Sequence, residues 1–207
     1  MQLQNYYYWF KDAIPHHVCD DIVRYAKSIQ DEMAVTGGLG NRKLNKKEVQ
    51  DLKKKRDSDI VWLKERWIYN AIHPYIHAAN RDANWNFQWD FSESCQFTKY
   101  KKGQYYDWHC DSWDKPYDSP NTPSHGKTRK LSVTLSLSDD KDYSGGELEF
   151  DMRNQDPDKK TNTHVLKEIR SKGSLVVFPS DVWHRVKSVK RGIRHSLVIW
   201  NLGWPFK

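Results

Sequence analysis

Apolar positions along this chain change their period near residue 87. Before it they recur mostly at helical spacing. Pro15 is placed to open a helix in which Val18, Ile22, Val23, Ala26 and Ile29 make one stripe, predicted to end near Met33. A second stripe of Trp67, Ala71, Ile72, Tyr75, Ile76 and Ala79 predicts another helix, which Pro74 should kink or interrupt. The aromatic run Tyr6 to Phe10 suits a buried strand, and Ser58 to Leu63 reads as extended. Thr36 to Asn41 is a glycine-bearing loop that lacks the Lys-Ser/Thr of a phosphate loop. Lys46 to Lys55 reads as a charged, helix-compatible excursion with a solvated face, and Asn80 to Asn86 as a turn.

From residue 87 onward alternation takes over. Phe87, Trp89 and Phe91 alternate, followed by strands at Gln96 to Tyr100 and Tyr105 to Asp111 around the turn Lys101-Lys102-Gly103. Leu131, Val133, Leu135 and Leu137 occupy one face of a strand whose other face is Ser132, Thr134, Ser136 and Ser138. A turn at Ser144-Gly145-Gly146 leads to Glu147 to Phe150; Val165 to Ile169, Gly173 to Phe178, Arg185 to Val189 and Arg194 to Trp200 complete the series. Ser112 to Thr128 and Asp151 to Asn162 are polar loops, the first long enough to act as a flap. Roughly eight short strands after a helical third predict a mainly β, two-sheet jelly roll supported by α-helices. Residues 1–86 would be the mainly helical support and 87–207 the jelly-roll core of a single domain.

Composition narrows the class. The chain has 207 residues and a 37% apolar fraction, but ten Trp, eleven Tyr and seven Phe supply burial area for a core. The sequence shows neither a membrane-length apolar run nor a signal-peptide pattern, so a soluble, cytoplasmic protein without a membrane partner is expected. Cys19, Cys95 and Cys110 are odd in number and widely spaced, which argues against a disulfide framework or a thiolate zinc site. The net charge of +7 falls in local clusters, which solubility explains; an acidic partner such as nucleic acid is the sharper alternative.

The candidate chemistry centres on His109 and Asp111. In an extended strand, residues two apart share a face, so an imidazole and a carboxylate project together while Cys110 points away. Alone, such a pair is more often a surface feature than a ligand pair. His184, after the turn Pro179 to Trp183, can return to the same mouth, giving two imidazoles and one carboxylate for Fe(II), Mn(II) or Zn(II). His16, His17, His73 and His77 fall in predicted helices and His125 and His164 in polar loops, all with surface or structural readings; His195 should be buried beside a helix. Arg194 and Ser196 share a strand face. A guanidinium in an otherwise apolar strand needs an anion, either a core carboxylate or a bound one. The hydroxyl-bearing face of Leu131 to Ser138 is either solvated or lines the same pocket. Tyr100 and Tyr106 are either core aromatics or phenols reaching into it.

These residues carry a resemblance. Tyr100-x5-Tyr106-x2-His109-x-Asp111, Arg129-Lys130-Leu131-Ser132-x-Thr134-Leu135-Ser136-Leu137, Gly145-Gly146-Glu147-Leu148, Phe178-Pro179, His184-Arg185-Val186-x2-Val189 and Gly192-Ile193-Arg194-x5-Trp200 occur in family order. Together, over about Gln96 to Trp200, they resemble the 2-oxoglutarate/Fe(II)-dependent oxygenases of the prolyl 4-hydroxylase type. The resemblance implies a double-stranded β-helix with Fe(II) held by His109, Asp111 and His184. It implies 2-oxoglutarate held by Arg194 with Tyr100, Ser136 and Ser196, although some family members carry tyrosine where Ser136 stands. O2 would be the second co-substrate and ascorbate a possible reductant, with succinate and CO2 as co-products of hydroxylation at an unactivated C–H. Retention of the Asp111 carboxylate favours hydroxylation over the halogenation of relatives that lack it. The implied substrate is a prolyl residue in a protein or peptide, and Tyr106, Trp113, Tyr117 and Trp200 are the candidates for contact with it. The alternatives are a small-molecule or free amino acid hydroxylase, an AlkB-like nucleic-acid demethylase and a non-catalytic metal-binding jelly roll. AlkB-type proteins typically carry a second arginine where this chain has Trp200.

Overall fold

Alternation along a few long strands divides the molecule into a helix-packed side and a pocket side. The computed structural model describes residues 5–29, 32–33, 45–112, 115–152 and 162–206. The N-terminal elements are β1 (Tyr8–Phe10), α1 (His16–Lys27), β2 (Glu32–Met33), α2 (Lys46–Lys55), β3 (Arg56–Asp57), β4 (Asp59–Leu63) and α3 (Arg66–Asp82). There follow β5 (Phe91–Ser92), β6 (Cys95–Tyr100), β7 (Tyr105–His109), β8 (Thr128–Ser136), β9 (Tyr143–Gly145) and β10 (Leu148–Asp151). The last are β11 (Thr163–Val165), β12 (Leu175–Pro179), β13 (His184–Val186), β14 (Val189–Gly192) and β15 (Arg194–Gly203).

The major sheet runs β1-β12-β8-β15-β6-β4-β2, with β5 also on β15; the minor sheet runs β11-β10-β13-β7-β3, and β14 pairs with β9. The strand pairings among the described residues of these sheets are antiparallel. The outer face of the major sheet (Phe97, Leu131, Val133, Leu135, Leu175, Val177, Leu197, Ile199) forms one core with Cys19, Ile22 and Ala26 of α1 and Ile68, Ile72, Ile76 and Ala79 of α3. The opposite residues, Tyr100, Val176 and Phe178, join Leu148, Phe150 and Val186 of the minor sheet in a second core. This is the expected mainly β jelly roll with supporting helices.

Several elements depart from the sequence expectation. Helix α1 stops at Lys27, short of the exposed Ile29, and Glu32–Met33 instead pairs with Asp59 and Ile60. Pro74 does not interrupt α3, which runs unbroken from Arg66 to Asp82. Pro74 and Asn70 are both exposed, so the carbonyl that loses its N–H partner faces water while the buried isoleucine stripe holds the helix. The turn beyond α3 is shorter than expected and uses Asn84 and Asn86 at φ 59° and 53°. The Lys-rich excursion is a helix because Asn45 and Glu48 form a reciprocal cap, Asn45 Oδ1 accepting from the Glu48 N–H at 3.0 Å and Glu48 Oε2 from the Asn45 N–H at 2.8 Å. The glycine-bearing loop Thr36 to Asn41 lies outside the described residues.

Strands also divide more finely than the pattern predicts: Arg185 to Val189 belongs to two strands in different sheets, and Val165 to Ile169 is extended only at its start. Nor is the N-terminal third simply a helical support. It adds β1, β2 and β4 to the major sheet and β3, through Arg56↔Tyr106, to the minor one. Among the described residues, no helix is long and apolar enough to cross a membrane.

Candidate active site

His109 ends β7 and His184 begins β13, and the two are paired across the strands, which sets their rings side by side at 4.1 Å between centroids. Asp111 lies beyond the end of β7, so strand alternation does not place it. The N–H groups of Asp111 and Ser112 both donate to the Ser180 carbonyl at 2.8 Å, folding the chain back at the turn that leads to His184. The His109 Nδ1–H donates to the Asp107 carbonyl at 2.8 Å and the His184 Nδ1–H to the Val182 carbonyl at 2.9 Å. These bonds fix the tautomers and leave both Nε2 lone pairs free. Nε2 of His109 stands 3.9 Å from Asp111 Oδ1, and Nε2 of His184 stands 3.6 Å from Asp111 Oδ2. The three ligand atoms lie within 4.8 Å of one another. Ser132 Oγ donates to Asp111 Oδ2 at 2.8 Å and contacts Ser180 Oγ at 2.9 Å.

The protonation states match a cation site. Burial, reinforced by the neighbouring His184, pushes the His109 pKa down to about 3, so its ring is a neutral donor of electrons at neutral pH. Burial opposes ionisation of Asp111, but His184, His109, Arg129 and the Ser132 hydroxyl outweigh it and hold the carboxyl below its usual range. Two imidazole nitrogens and a carboxylate, held by bonds to their other atoms, are a donor set that fits Fe(II).

The triad opens into a cavity that also receives Arg194, Ser196, Tyr100, Tyr106, Thr134 and Trp200. Arg194 is 4% exposed and pairs with Tyr100 across β15 and β6; its guanidinium lies over the Tyr100 ring and donates to Ser196 Oγ at 3.1 Å. Among the described residues no carboxylate lies within ion-pair distance of it, so the core-carboxylate alternative falls away. Gly146 makes room for this side chain: a Cβ there would come within 2.9 Å of Arg194 Cδ, and its φ is +65°. Trp200 is buried, and among the described residues its indole Nε1–H has no hydrogen-bond partner. A buried cation without an acid and an orphaned donor in one cavity fit a bound dicarboxylate.

Sequence reasoning missed Arg56. It is 5% exposed in the same cavity, donates to Ser58 Oγ at 2.9 Å and Gln96 Oε1 at 2.7 Å, and lies 4.5 Å over the Tyr106 ring. That ring in turn stacks on His109 at 3.5 Å between centroids. Arg56 closes the run Lys53-Lys54-Lys55 and so looks like solvated charge. The available signal was that Arg56 and Ser58 share a face just before an apolar strand.

The other nominated residues divide. Burial raises the Tyr106 pKa to about 12, so its phenol keeps its proton in the cavity. Thr134 lines the cavity and Ser132 holds Asp111, but Ser136 is not brought to the cavity wall, and its hydroxyl faces the Ser138 carbonyl at 3.4 Å. Tyr117 lies in the long loop, where its phenol donates to Glu93 Oε1 at 2.8 Å; Glu93 in turn grips Arg129 at 2.6 Å, and Arg129 lies 4.0 Å over Trp200. Trp113 lies outside the described residues. His195 stacks on Phe97 and contacts Ser138, away from the triad, and His164 sits in β11 against Tyr7 rather than in a loop.

Known proteins share this arrangement in sequence and in fold. Residues 95–201, just over half of the chain, match the family described as the 2OG-Fe(II) oxygenase superfamily. A PKHD-type hydroxylase of Synechococcus sp. (strain CC9902) is 36% identical over 99 residues, 47% of this chain and 36% of that protein. One from Pseudoalteromonas atlantica is 33% identical over 107 residues, 51% of this chain and 41% of that protein. The matched segment thus spans less than half the length of these relatives. In fold, the chain is similar to the viral collagen prolyl hydroxylase of Paramecium Bursaria Chlorella virus-1 in its 2OG complex (TM-score 0.63, 17% identity, 97% of each chain). It is equally similar to a Pseudomonas putida prolyl-4-hydroxylase (TM-score 0.63, 18% identity, 96% of this chain and 93% of that one). Since the matched residues run from β6 to β15 and carry the whole triad and Arg194, the chain belongs to the 2OG-Fe(II) oxygenase superfamily.

Proposed function

We propose that this chain is an Fe(II)- and 2-oxoglutarate-dependent dioxygenase that hydroxylates a prolyl residue in a protein or peptide. The observation that carries the proposal is the convergence of His109, Asp111 and His184 on a cavity whose buried Arg194 has no carboxylate partner among the described residues. His109, Asp111 and His184 would hold Fe(II), and the metal with 2-oxoglutarate would supply the oxidising chemistry, releasing succinate and CO2. Arg194 and the Ser196 hydroxyl would seat the distal carboxylate of 2-oxoglutarate, with Tyr100 beside them. Val186, Val198 and Leu148 add apolar surface to the cavity wall, which limits water. Ser132 and Ser180 fix the orientation of Asp111, and the neutral state of His109 keeps its Nε2 lone pair available.

The prolyl assignment is supported by the solved neighbours, which include prolyl hydroxylases, and by the aromatic side chains Tyr100, Tyr106 and Trp200 that line the cavity. The loop around Tyr117 would close over the peptide, since its phenol already ties it to Glu93 beside Trp200. The test is succinate formation with Fe(II), 2-oxoglutarate and ascorbate, together with mass spectrometry of proline-containing peptides for one added oxygen on proline. Succinate no faster than with His184→Ala would remove the dioxygenase reading. Turnover that oxidises no proline would remove the prolyl one alone.

A further inference from the structure

Outside the metal cavity, a second feature joins a buried charge to exposed aromatic surface. Two clefts, of about 240 and 440 Å3, share Phe87, Lys130 and Phe206. They are two halves of one groove, divided by the Phe206 ring and the Lys130 ammonium group. The first half is also lined by Ser112 and Ser180, the second by Trp85, Gln88 and Trp204. Trp204 and Phe206 are 61% and 62% exposed, an unusual amount of adjacent aromatic surface at a groove rim.

Lys130 is only 3% exposed, and its ammonium lies 3.2 Å over the Phe206 ring. Among the described residues no carboxylate comes within ion-pair distance of it. The neighbouring cations are already partnered, Lys127 by Asp90 at 2.7 Å and Arg129 by Glu93 at 2.6 Å. Asp181, the acidic residue of the lining, is exposed. A lysine so far removed from water with an aromatic face as its contact is costly unless an anion completes the site.

The groove also has a fixed relation to the metal ligands. The Ser180 carbonyl accepts the N–H groups of Asp111 and Ser112, and the Ser180 hydroxyl contacts the Ser132 hydroxyl that holds Asp111. One end of the groove is therefore tied, through Ser180 and Ser112, to the backbone that positions Asp111.

We propose that this groove docks the segment of an extended peptide substrate that flanks the reacting residue, with an acidic side chain of that segment paired to Lys130. The inference rests on the reading of the substrate as a peptide. Aromatic walls suit an extended, proline-containing backbone, which loses little entropy on binding. The unpartnered ammonium sets the sign of the accompanying charge. The net charge of +7 on the whole chain also favours an anionic ligand.

The test compares fluorescein-labelled Pro-Glu repeat and Pro-Gln repeat peptides on the full chain by fluorescence anisotropy, so that register need not be known and no turnover is required. Three forms are used: wild type, Lys130→Met, which keeps an unbranched side chain without the charge, and Lys130→Glu. Wild type should bind the Pro-Glu repeat about tenfold more tightly than the Pro-Gln repeat, as one partly buried charge pair allows. Lys130→Met should abolish the difference, and Lys130→Glu should transfer the preference to a Pro-Lys repeat. Uncoupled 2-oxoglutarate turnover and its KM should be the same in all three. An equal Glu/Gln ratio in wild type and Lys130→Met overturns the proposal. So does concentration-dependent dimerisation that Lys130→Met removes, since the groove's occupant is then a second copy. Loss of succinate formation in wild type would instead count against the dioxygenase reading and leave the binding comparison standing.

Discussion

The two faces of β8 and β15 are built from the same strands and do opposite things. Toward the helices, Leu131, Val133, Leu135, Leu197 and Ile199 are fully buried among α1 and α3. Toward the minor sheet, the intervening residues are Ser132, Thr134, Ser136, Arg194 and Ser196, also buried, with few apolar contacts and one guanidinium lacking an acid. The outer face supplies the burial that holds the sheet flat against its helices. The inner face carries polar groups whose desolvation the outer face must offset. Stability and chemistry are thus separated by a side-chain period of two.

Substitutions should separate the faces again. The largest effect is expected on the inner side, where His184→Ala should reduce succinate formation to background and abolish Fe(II) binding by calorimetry, with unchanged far-UV circular dichroism. On the outer side, Leu135→Ala should cost about 2–5 kcal/mol in urea unfolding and leave the KM for 2-oxoglutarate unchanged in the folded fraction. A changed KM there would show that the faces are coupled. Arg194→Met should do the reverse. Removing a buried cation without an acid should stabilise the ligand-free protein by on the order of 1 kcal/mol, and added 2-oxoglutarate should no longer raise Tm. A lower Tm in the variant would mean that Arg194 is structural.

A further effect is a pH dependence. Burial, aided by the charges of Lys27, Lys99 and Arg194, lowers the His195 pKa to about 4, against about 6.5 in the unfolded chain. The unfolded state therefore binds the proton first as pH falls. Stability present above pH 6.5 is lost progressively toward pH 4, at up to about 1.4 kcal/mol per pH unit from this residue. His195→Phe, which can retain the stack on Phe97, should flatten the stability profile over that window by this amount. An unchanged slope would assign the acid sensitivity to other groups.

Much of this division was legible from residue order alone, because alternation in Leu131 to Ser138 and Arg194 to Trp200 already sorts the faces. His109 and Asp111 were legible as a pair, but for an incomplete reason. Their convergence depends on two N–H groups meeting the Ser180 carbonyl, a contact between distant segments that no local pattern encodes. Arg56 was hidden for the same reason: its burial follows from β3 pairing with β7, whereas its neighbours in sequence are three solvated lysines. The early end of α1 was illegible because Ile29 continues the apolar spacing although it is left exposed. Sequence spacing reports which side chains could share a face; long-range pairing decides which do.

The pairing of His109 with His184 on adjacent strands has a mechanical corollary. A divalent ion gripping both would clasp β7 to β13 in the minor sheet, across the second core from the helix-backed one. Chelation should then quicken amide hydrogen exchange in those two strands, while β8 and β15 stay protected behind α1 and α3. The same ion would be both a reagent and a rivet, so iron scarcity would loosen the mouth of the barrel before it unfolded the chain.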